Sequence, residues 1–341
     1  MQRSSRVTIR DVASQAGVSI ATVSKVLNQR YGVAAETNAR VLAVIEELGY
    51  EASLVAQSLR NHRTNVIGIL VADLEPFSTE LLKGAADAIR GTGFELVVYS
   101  AGGRTNDEKA GWERRYLSRL SGTLVDGAVL VTPTVALDMH HGTPVVAVDP
   151  HTGPTGLLPT IDSDNLRGAQ LATEHLLELG HRRIAMLTGR PDLQSAQLRE
   201  TGYRRALAAA GVEADENLIL VGAYDPEVSA ESARRLLSGP DRPTAVFAAN
   251  DLSAISTIEV ATEFGLSVPE DLSVVGFDNI PESVMSTPAL TTVDQPIREM
   301  GRRAISLLVQ LINGEPPGTT HITLDTSLVV RQSTRAVSPQ P

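Results

Sequence analysis

The chain has 341 residues, 30 lysines and arginines against 40 aspartates and glutamates, a formal net charge of −10 and no cysteine. That length suits about two or three folding units, and the missing cysteine excludes disulfides, thiolate metal sites and cysteine nucleophiles. No apolar run approaches a membrane span, and the opening "MQRSSRVTIRDVA" lacks the apolar block and cleavage site of a secretory signal, so a cytoplasmic protein is expected.

The charge is unevenly spread. Residues 1–65 carry eight basic and five acidic side chains, leaving the remainder at −13. A basic head on an acidic body fits a protein that meets phosphate at one end only. The head reads as three short helices. Thr8, with Asp11 three residues on, is expected to cap the first, Ile9 to about Ala16, the hydroxyl taking exposed amides. Gly17 supplies the turn and Ser19 caps the second helix, which runs to about Asn28. The third lies in "AAETNARVLAVIEELG", with Val41, Leu42, Val44, Ile45 and Leu48 as its apolar face and Gly49 as its stop.

The second helix, "VSIATVSKVLN", is unusual. It is almost uncharged and full of small or hydroxyl side chains, with one long cation. A helix made only to fill a core would show more leucine inside and more charge outside. One made to lie against base edges needs small polar groups and a cation.

Between head and body, "YEASLVAQSLRNHRT" has no strong apolar face and reads as a linker, or as a helix that forms only against a partner. From Val66 onward, strand-like blocks alternate with amphipathic helices: "VIGILVA", "FELVVYS", "DGAVLV", "PVVAVD", and after Asp164 "HRRIAMLT", "NLILVG", "TAVFAA" and "LSVVGFD". Strands separated by helices imply parallel sheets covered on both faces, and two such series imply two doubly wound lobes. Ligands in such lobes bind where strands end. Arg199, Asn250 and Asp278 offer a guanidinium, an amide and a carboxylate, a set suited to ring hydroxyls.

"TIRDVASQAGVSIATVSKVLN" resembles the lactose-repressor/galactose-repressor family of transcriptional regulators. The resemblance continues through "EELGY", "SLVAQSLR", "ATEHLLELGHRRIAMLTG", "LRETGYRRAL", "FAANDLSA", "VPEDLSVVGFDN" and "PALTTVDQP", nearly the whole chain. It implies a helix-turn-helix domain over residues 1–50, a hinge over 51–64 and a periplasmic-binding-protein-like body over 65–335. Lobe 1 is expected at about 65–162 and 296–323, lobe 2 at about 163–292 and 324–335. It also implies a homodimer on a palindromic DNA operator, answering to a small-molecule effector, most simply a sugar that relieves repression. A purine or nucleoside effector, or a sugar acting as co-repressor, is the alternative.

The resemblance places Ile20, Ala21 and Lys25 against bases in the major groove, where a lysine can donate to guanine and apolar groups can meet thymine methyls. Thr8, Ser19, Thr22, Ser24 and Asn28 suit phosphate contacts, and Val23 reads as core. Leu59 matches the hinge wedge that opens a central base step, with Ser53 and Ala56 as small hinge positions. In the body, Phe77, Arg199, Tyr224, Asn250, Asp278 and Gln295 match the effector pocket, the two rings as stacking surfaces for a sugar. Asp251 is expected to cap the helix after it. Asp164 and Asn165 fit either capping or ligand contact.

Three departures stand out. Ala34-Ala35 replaces the Ser-Pro that usually opens the third helix, Glu51-Ala52-Ser53 replaces the start of the hinge, and Glu75 and Ser78 replace an Asn and an aromatic.

Other chemistry is sparse. There is no Walker loop, HExxH or G-x-S-x-G elbow, so neither catalysis nor a cofactor is expected. His140–His141 reads as a solvated loop, since adjacent residues point apart and no third metal ligand is apparent. Trp112 reads as a half-buried surface aromatic. The tail "VVRQSTRAVSPQP" has too few apolar positions for a coiled-coil strand, so a dimer rather than a tetramer is expected. The body alone would also suit a transporter's solute-binding protein or a sugar-processing enzyme. The head argues against the first, and the lack of a nucleophile or acid–base pair argues against the second.

Overall fold

A computed structural model describes residues 7–27, 31–50, 63–101, 112–120, 124–133, 142–151 and 158–337. Asn28, Ser53, Ala56, Leu59 and His140–His141 lie outside them. The chain divides into a small unit ending at Thr64 and a large unit beginning at Asn65.

The small unit holds α1 (Ile9–Ala16), α2 (Ile20–Leu27) and α3 (Ala35–Leu48). At the start of α1, Asp11 accepts from both the backbone N–H and the hydroxyl of Thr8, at 2.8 and 2.7 Å. This is the reciprocal capping box expected of Thr8 and Asp11. These bonds lower the Asp11 pKa below the usual carboxylate range. Ser19 Oγ accepts from the Thr22 N–H at 3.1 Å and caps α2. Ala34 provides no side-chain cap for α3, and Gly17 and Gly49 end α1 and α3 in the left-handed conformation, at φ 64° and 58°. The core joins Val12, Ala13, Ala16, Val23, Val26, Val41 and Val44. Leu42 is 51% exposed, against expectation. Val41, Val44, Ile45 and Leu48 keep the three-and-four spacing of one helix face, and Leu42 lies about 100° off it.

The large unit is built on two six-stranded sheets. Lobe 1 contains β1 (Val66–Val71), α4 (Pro76–Ala88), β2 (Glu95–Ser100), α5 (Trp112–Leu120), β3 (Gly127–Val131), β4 (Val145–Val148) and β5 (Thr160–Ser163). Lobe 2 contains α6 (Asn165–Glu178), β6 (Ile184–Thr188), α7 (Gln194–Ala209), β7 (Ile219–Val221), α8 (Pro226–Leu237), β8 (Ala245–Ala248), α9 (Asp251–Glu263), β9 (Ser273–Asp278), α10 (Pro281–Met285) and β10 (Thr291–Asp294). The chain then returns to lobe 1 as α11 (Ile297–Ile312) and β11 (His321–Leu324), and ends in lobe 2 as β12 (Ser327–Val329). Strand order is β11-β5-β4-β3-β1-β2 in one sheet and β12-β10-β9-β8-β6-β7 in the other.

Every described pairing is parallel except β10–β12, which is antiparallel. The alternation of inner residues explains the coverage of both faces. In lobe 2, Ile184, Met186, Ala245, Phe247, Val275 and Phe277 form one core. Their sequence neighbours Ala185, Leu187, Val246, Ala248 and Val274 form another on the opposite face. Successive strand side chains point to opposite faces, so a strand apolar at every position demands helices on both sides.

In lobe 1, α4 and α11 pack backbone to backbone through glycine. A Cβ at Gly84 would collide with the Arg298 carbonyl, and one at Gly301 with the Leu81 carbonyl. Trp112 is only 1% exposed, a correction to the half-buried reading. It packs edge-on to Tyr116 at 5.7 Å between ring centroids. Among the described residues no helix is long and apolar enough to cross a membrane.

Candidate functional site

In the small unit, α2 presents an outer face and an inner one. Val23 and Val26 are buried, while Ser19, Ile20, Ala21 and Lys25 are exposed and Thr22 and Ser24 half-buried. Ile20 is 45% exposed and puts an apolar group on the outer face. Its neighbour is Ala21 and, just over one turn on, Lys25, so the face offers two apolar groups and one flexible cation. The Ser19 and Thr22 hydroxyls bond to each other at 2.9 Å, and the Thr8 hydroxyl is held by Asp11. Tyr31, which the sequence reading passed over, is fully exposed.

In the large unit, Phe77, Arg199, Tyr224, Asn250, Asp278 and Gln295 all line one cavity of about 250 Å³ between the lobes. Its walls are the segments that follow strands: 72–78 after β1, Thr132 after β3, Asp149 after β4, Arg190 to Ser195 after β6, 223–225 after β7, Asn250 after β8 and Gln295 after β10. Several of these residues hold unusual backbone. Thr132, Asp149, Ala223, Tyr224 and Asp278 have φ of 46°, 48°, 55°, 60° and 115°. Such conformations cost about 1–3 kcal/mol each, and they gather at ligand sites.

A closed ring of polar contacts forms the floor. Ser163 Oγ donates to Gln295 Oε1 at 2.6 Å, which fixes the amide so that Gln295 Nε2 donates to Asp278 Oδ1 at 2.7 Å. Arg199 Nη1 approaches the same Asp278 oxygen at 3.5 Å, long for a hydrogen bond but an ion pair between two buried groups. Arg199 Nε donates to Asn165 Oδ1 at 2.8 Å, and Asn165 Nδ2 returns to the Ser163 carbonyl at 3.1 Å. Arg199 Nη1 also donates to the Ala249 carbonyl, and the guanidinium lies 3.7 Å from the Phe277 ring centroid. Cation–π stacking and these donated bonds let this charge stay buried.

Asn165 therefore orients Arg199, and Asp164 caps α6 by accepting from the Arg167 N–H. Asn250 caps α9, its Oδ1 accepting from the Ser253 N–H at 3.0 Å. That corrects the assignment of the cap to Asp251. Asp251 is instead fully buried, accepting from the Ile280 N–H and the Thr292 hydroxyl, and so braces the turn that carries Asp278.

The electrostatics of the cleft are acidic. Burial pushes Asp278 up to about 7 against the pull of Arg199. Burial likewise raises Asp149 and Glu75, and lifts Asp162, with help from the Asp149 charge, to about 6. Burial raises Asp251 well above its usual range, with the Asp278 charge adding to it. At the mouth, His151 after β4 meets Asp192 after β6 at 2.7 Å, and Arg190 bonds the same carboxylate. This contact joins the two lobes. The Tyr224 ring lies against Gly189, where a Cβ would strike it, and its buried hydroxyl lies beside Ser195.

The sequence reading missed Asp149, Ser195 and Arg190, and took Glu75 only as a departure. Two signals were available. Asp149 ends the block "PVVAVD" just as Asp278 ends "LSVVGFD", and Ser195 lies four residues before Arg199, on the same helix face.

The comparisons with known proteins agree with this architecture. Residues 8–53 match the family model of bacterial regulatory proteins, lacI family, and residues 173–334 a periplasmic binding protein-like domain. The ribose operon repressor of Halalkalibacterium halodurans is 35% identical over 331 residues, covering 96% of this chain and 97% of its own. The transcriptional repressor PurR of Photobacterium profundum is 33% identical over 336 residues, covering 96% and 98%. Among solved structures, the lac repressor dimer bound to operator and the anti-inducer ONPF superposes with a TM-score of 0.81 at 29% identity, covering 97% of this chain and 100% of that one. A complex of the transcriptional regulator CelR with cellobiose gives 0.70 at 35% identity, covering 96% and 100%. With a helix-turn-helix head, two periplasmic-binding-protein-like lobes and relatives matched over nearly their whole length, the chain belongs to the lacI family of bacterial regulatory proteins and is a DNA-binding transcriptional regulator.

Proposed function

We propose that the protein is a homodimeric repressor whose α2 reads a palindromic operator and whose interlobe cleft binds a saccharide that weakens DNA binding. The observation that carries the saccharide reading is the cleft itself. It sets a buried carboxylate, an arginine and two amides in one cavity, with the Phe77 ring on the lobe 1 side and Tyr224 on the lobe 2 side. Fixed acceptors and donors beside aromatic surfaces suit a ring that is polar at its edges and apolar on its faces. Two relatives point the same way, one named for the ribose operon and one solved with cellobiose. Residues 51–64 serve in this reading as a hinge, and a segment that short is marginal as an isolated helix. In this reading Leu59 is the wedge at the operator centre, and lobe rotation on ligand binding changes how the hinge meets DNA. The coupling is reciprocal and typically about 1–3 kcal/mol.

The test is a thermal-shift screen of mono- and oligosaccharides and purines, repeated with operator DNA selected from random sequence. A saccharide should raise the melting temperature of the free protein by mass action and lower its operator affinity. A purine acting alone, or a saccharide that tightens DNA binding, would overturn the reading.

For the head, Lys25→Ala should cost about 1–3 kcal/mol at one base position of each half-site, measured by binding to operators varied singly. An even loss across all sequences would make Lys25 a phosphate contact.

A further inference from the structure

We propose that Glu75 is a specificity-determining residue of the cleft, one that makes the effector an uncharged saccharide and rejects sugars bearing phosphate or carboxylate groups. This rests on the saccharide reading above. Glu75 stands at the start of α4 and lines the cavity from lobe 1. Its Oε2 accepts from the Phe77 N–H at 2.7 Å, and its Oε1 from the Ser78 N–H and hydroxyl at 2.9 and 2.6 Å. Those three donors and the helix N-terminus hold the carboxylate in place and favour its charge, against the burial that raises its pKa. A carboxylate offers about four acceptor sites, so about one remains for a hydroxyl in the cavity.

On the opposite wall stands Asp278, which burial lifts to about 7, and Glu75 is close enough for its charge to act on it. A ligand spanning the lobes thus meets a carboxyl group at each side, and at Glu75 it must bring a donor. Asp149 adds a third carboxylate to the same lining. Of the two arginines there, Arg199 acts on Asp278 and Asp149, and neither is paired with Glu75. Arg199 directs Nε and Nη1 at Asn165, Ala249 and Asp278, and Arg190 is forked onto Asp192. An anionic ligand would enter a water-poor space beside the Glu75 carboxylate, which no cation pairs with among the described residues, and Coulomb repulsion there is large.

Isothermal titration of the full-length protein with matched probes tests this: cellobiose against cellobiose 6′-phosphate, ribose against ribose 5-phosphate, and glucose against glucuronate. For the pair whose neutral member binds, the anion should bind about 100-fold more weakly. Glu75→Gln keeps a capping oxygen and removes the charge. It should narrow that ratio to about tenfold or less, with a smaller loss of affinity for the neutral sugar. Anionic members binding as well as neutral ones in the wild type would overturn the proposal, even if Glu75→Gln failed to fold. An unchanged ratio in a folded Glu75→Gln would also overturn it. Silence of the whole panel would instead sink the saccharide reading, and this inference with it.

Discussion

Replacing Asp278 by Asn is expected to abolish the effector response while leaving operator affinity in the absence of effector near that of the wild type. Asp278 Oδ1 is where Gln295 and Arg199 converge; an amide can keep that acceptor, but it loses the charge that pairs with Arg199 and turns the second oxygen into a donor. Truncating one partner of a buried charged pair typically costs about 2–5 kcal/mol, so ligand affinity should fall about 30-fold or more. The head is a separate unit and keeps its own core, which is why DNA binding without effector is spared. Titrating operator release against effector separates the outcomes. A mutant that let go of DNA at the wild-type effector concentration would show that Asp278 is not a ligand.

The same substitution should flatten the pH dependence of stability. Burial lifts Asp278 to about 7 in the folded protein, whereas in the unfolded chain it titrates as an ordinary carboxylate near 3.9. Between those values the folded state holds a proton that the unfolded state has released. The Asp278 contribution to stability therefore falls as pH rises through that window and levels off above about 7. Urea melts from pH 4.5 to 8 should show a downward slope in the wild type that is shallower in Asp278→Asn. Equal slopes would mean that Asp278 titrates normally.

The largest effect on stability is expected at Gly84. Alanine is the better helix former, by about 1 kcal/mol on propensity alone, so an isolated α4 would gain from Gly84→Ala. Against α11 the sign reverses, because the new methyl would overlap the Arg298 carbonyl, which is backbone and cannot swing aside. Forced overpacking costs about 1–3 kcal/mol and at times more, and here the site allows little relief, so a net loss near the upper end is expected. It should appear in urea as a lower midpoint with the slope unchanged. Glu75 and Phe77 open the same helix, so effector affinity should fall as well. A Gly84→Ala protein as stable as wild type would mean that the two helices have room to separate.

What the sequence determined by itself is local and periodic. The three-and-four spacing of Val41, Val44, Ile45 and Leu48 marked α3, the Gly17 and Gly49 turns needed a left-handed residue, and the Ser19 cap was legible as a hydroxyl before an apolar helix. Unbroken apolar strand blocks told of sheets covered on both faces, because each successive side chain had to be buried somewhere. The six body residues of the cleft were found through strand ends and a family resemblance, and they line one cavity.

What only the tertiary structure decided depends on neighbours distant in the chain. β5, β10, β11 and β12 are short, and their pairing, including the antiparallel β12, is set by where the chain crosses between lobes. Trp112 is buried because Tyr116 and the rest of lobe 1 close over it. Asn250 took the cap expected of Asp251 because Asp251 was claimed by Ile280 and Thr292, 29 and 41 residues away. The acidity of the cleft was invisible for the same reason. Glu75, Asp149 and Asp278 are scattered along the chain as ordinary carboxylates, and folding gathers them around one cavity and raises all three by removing their water.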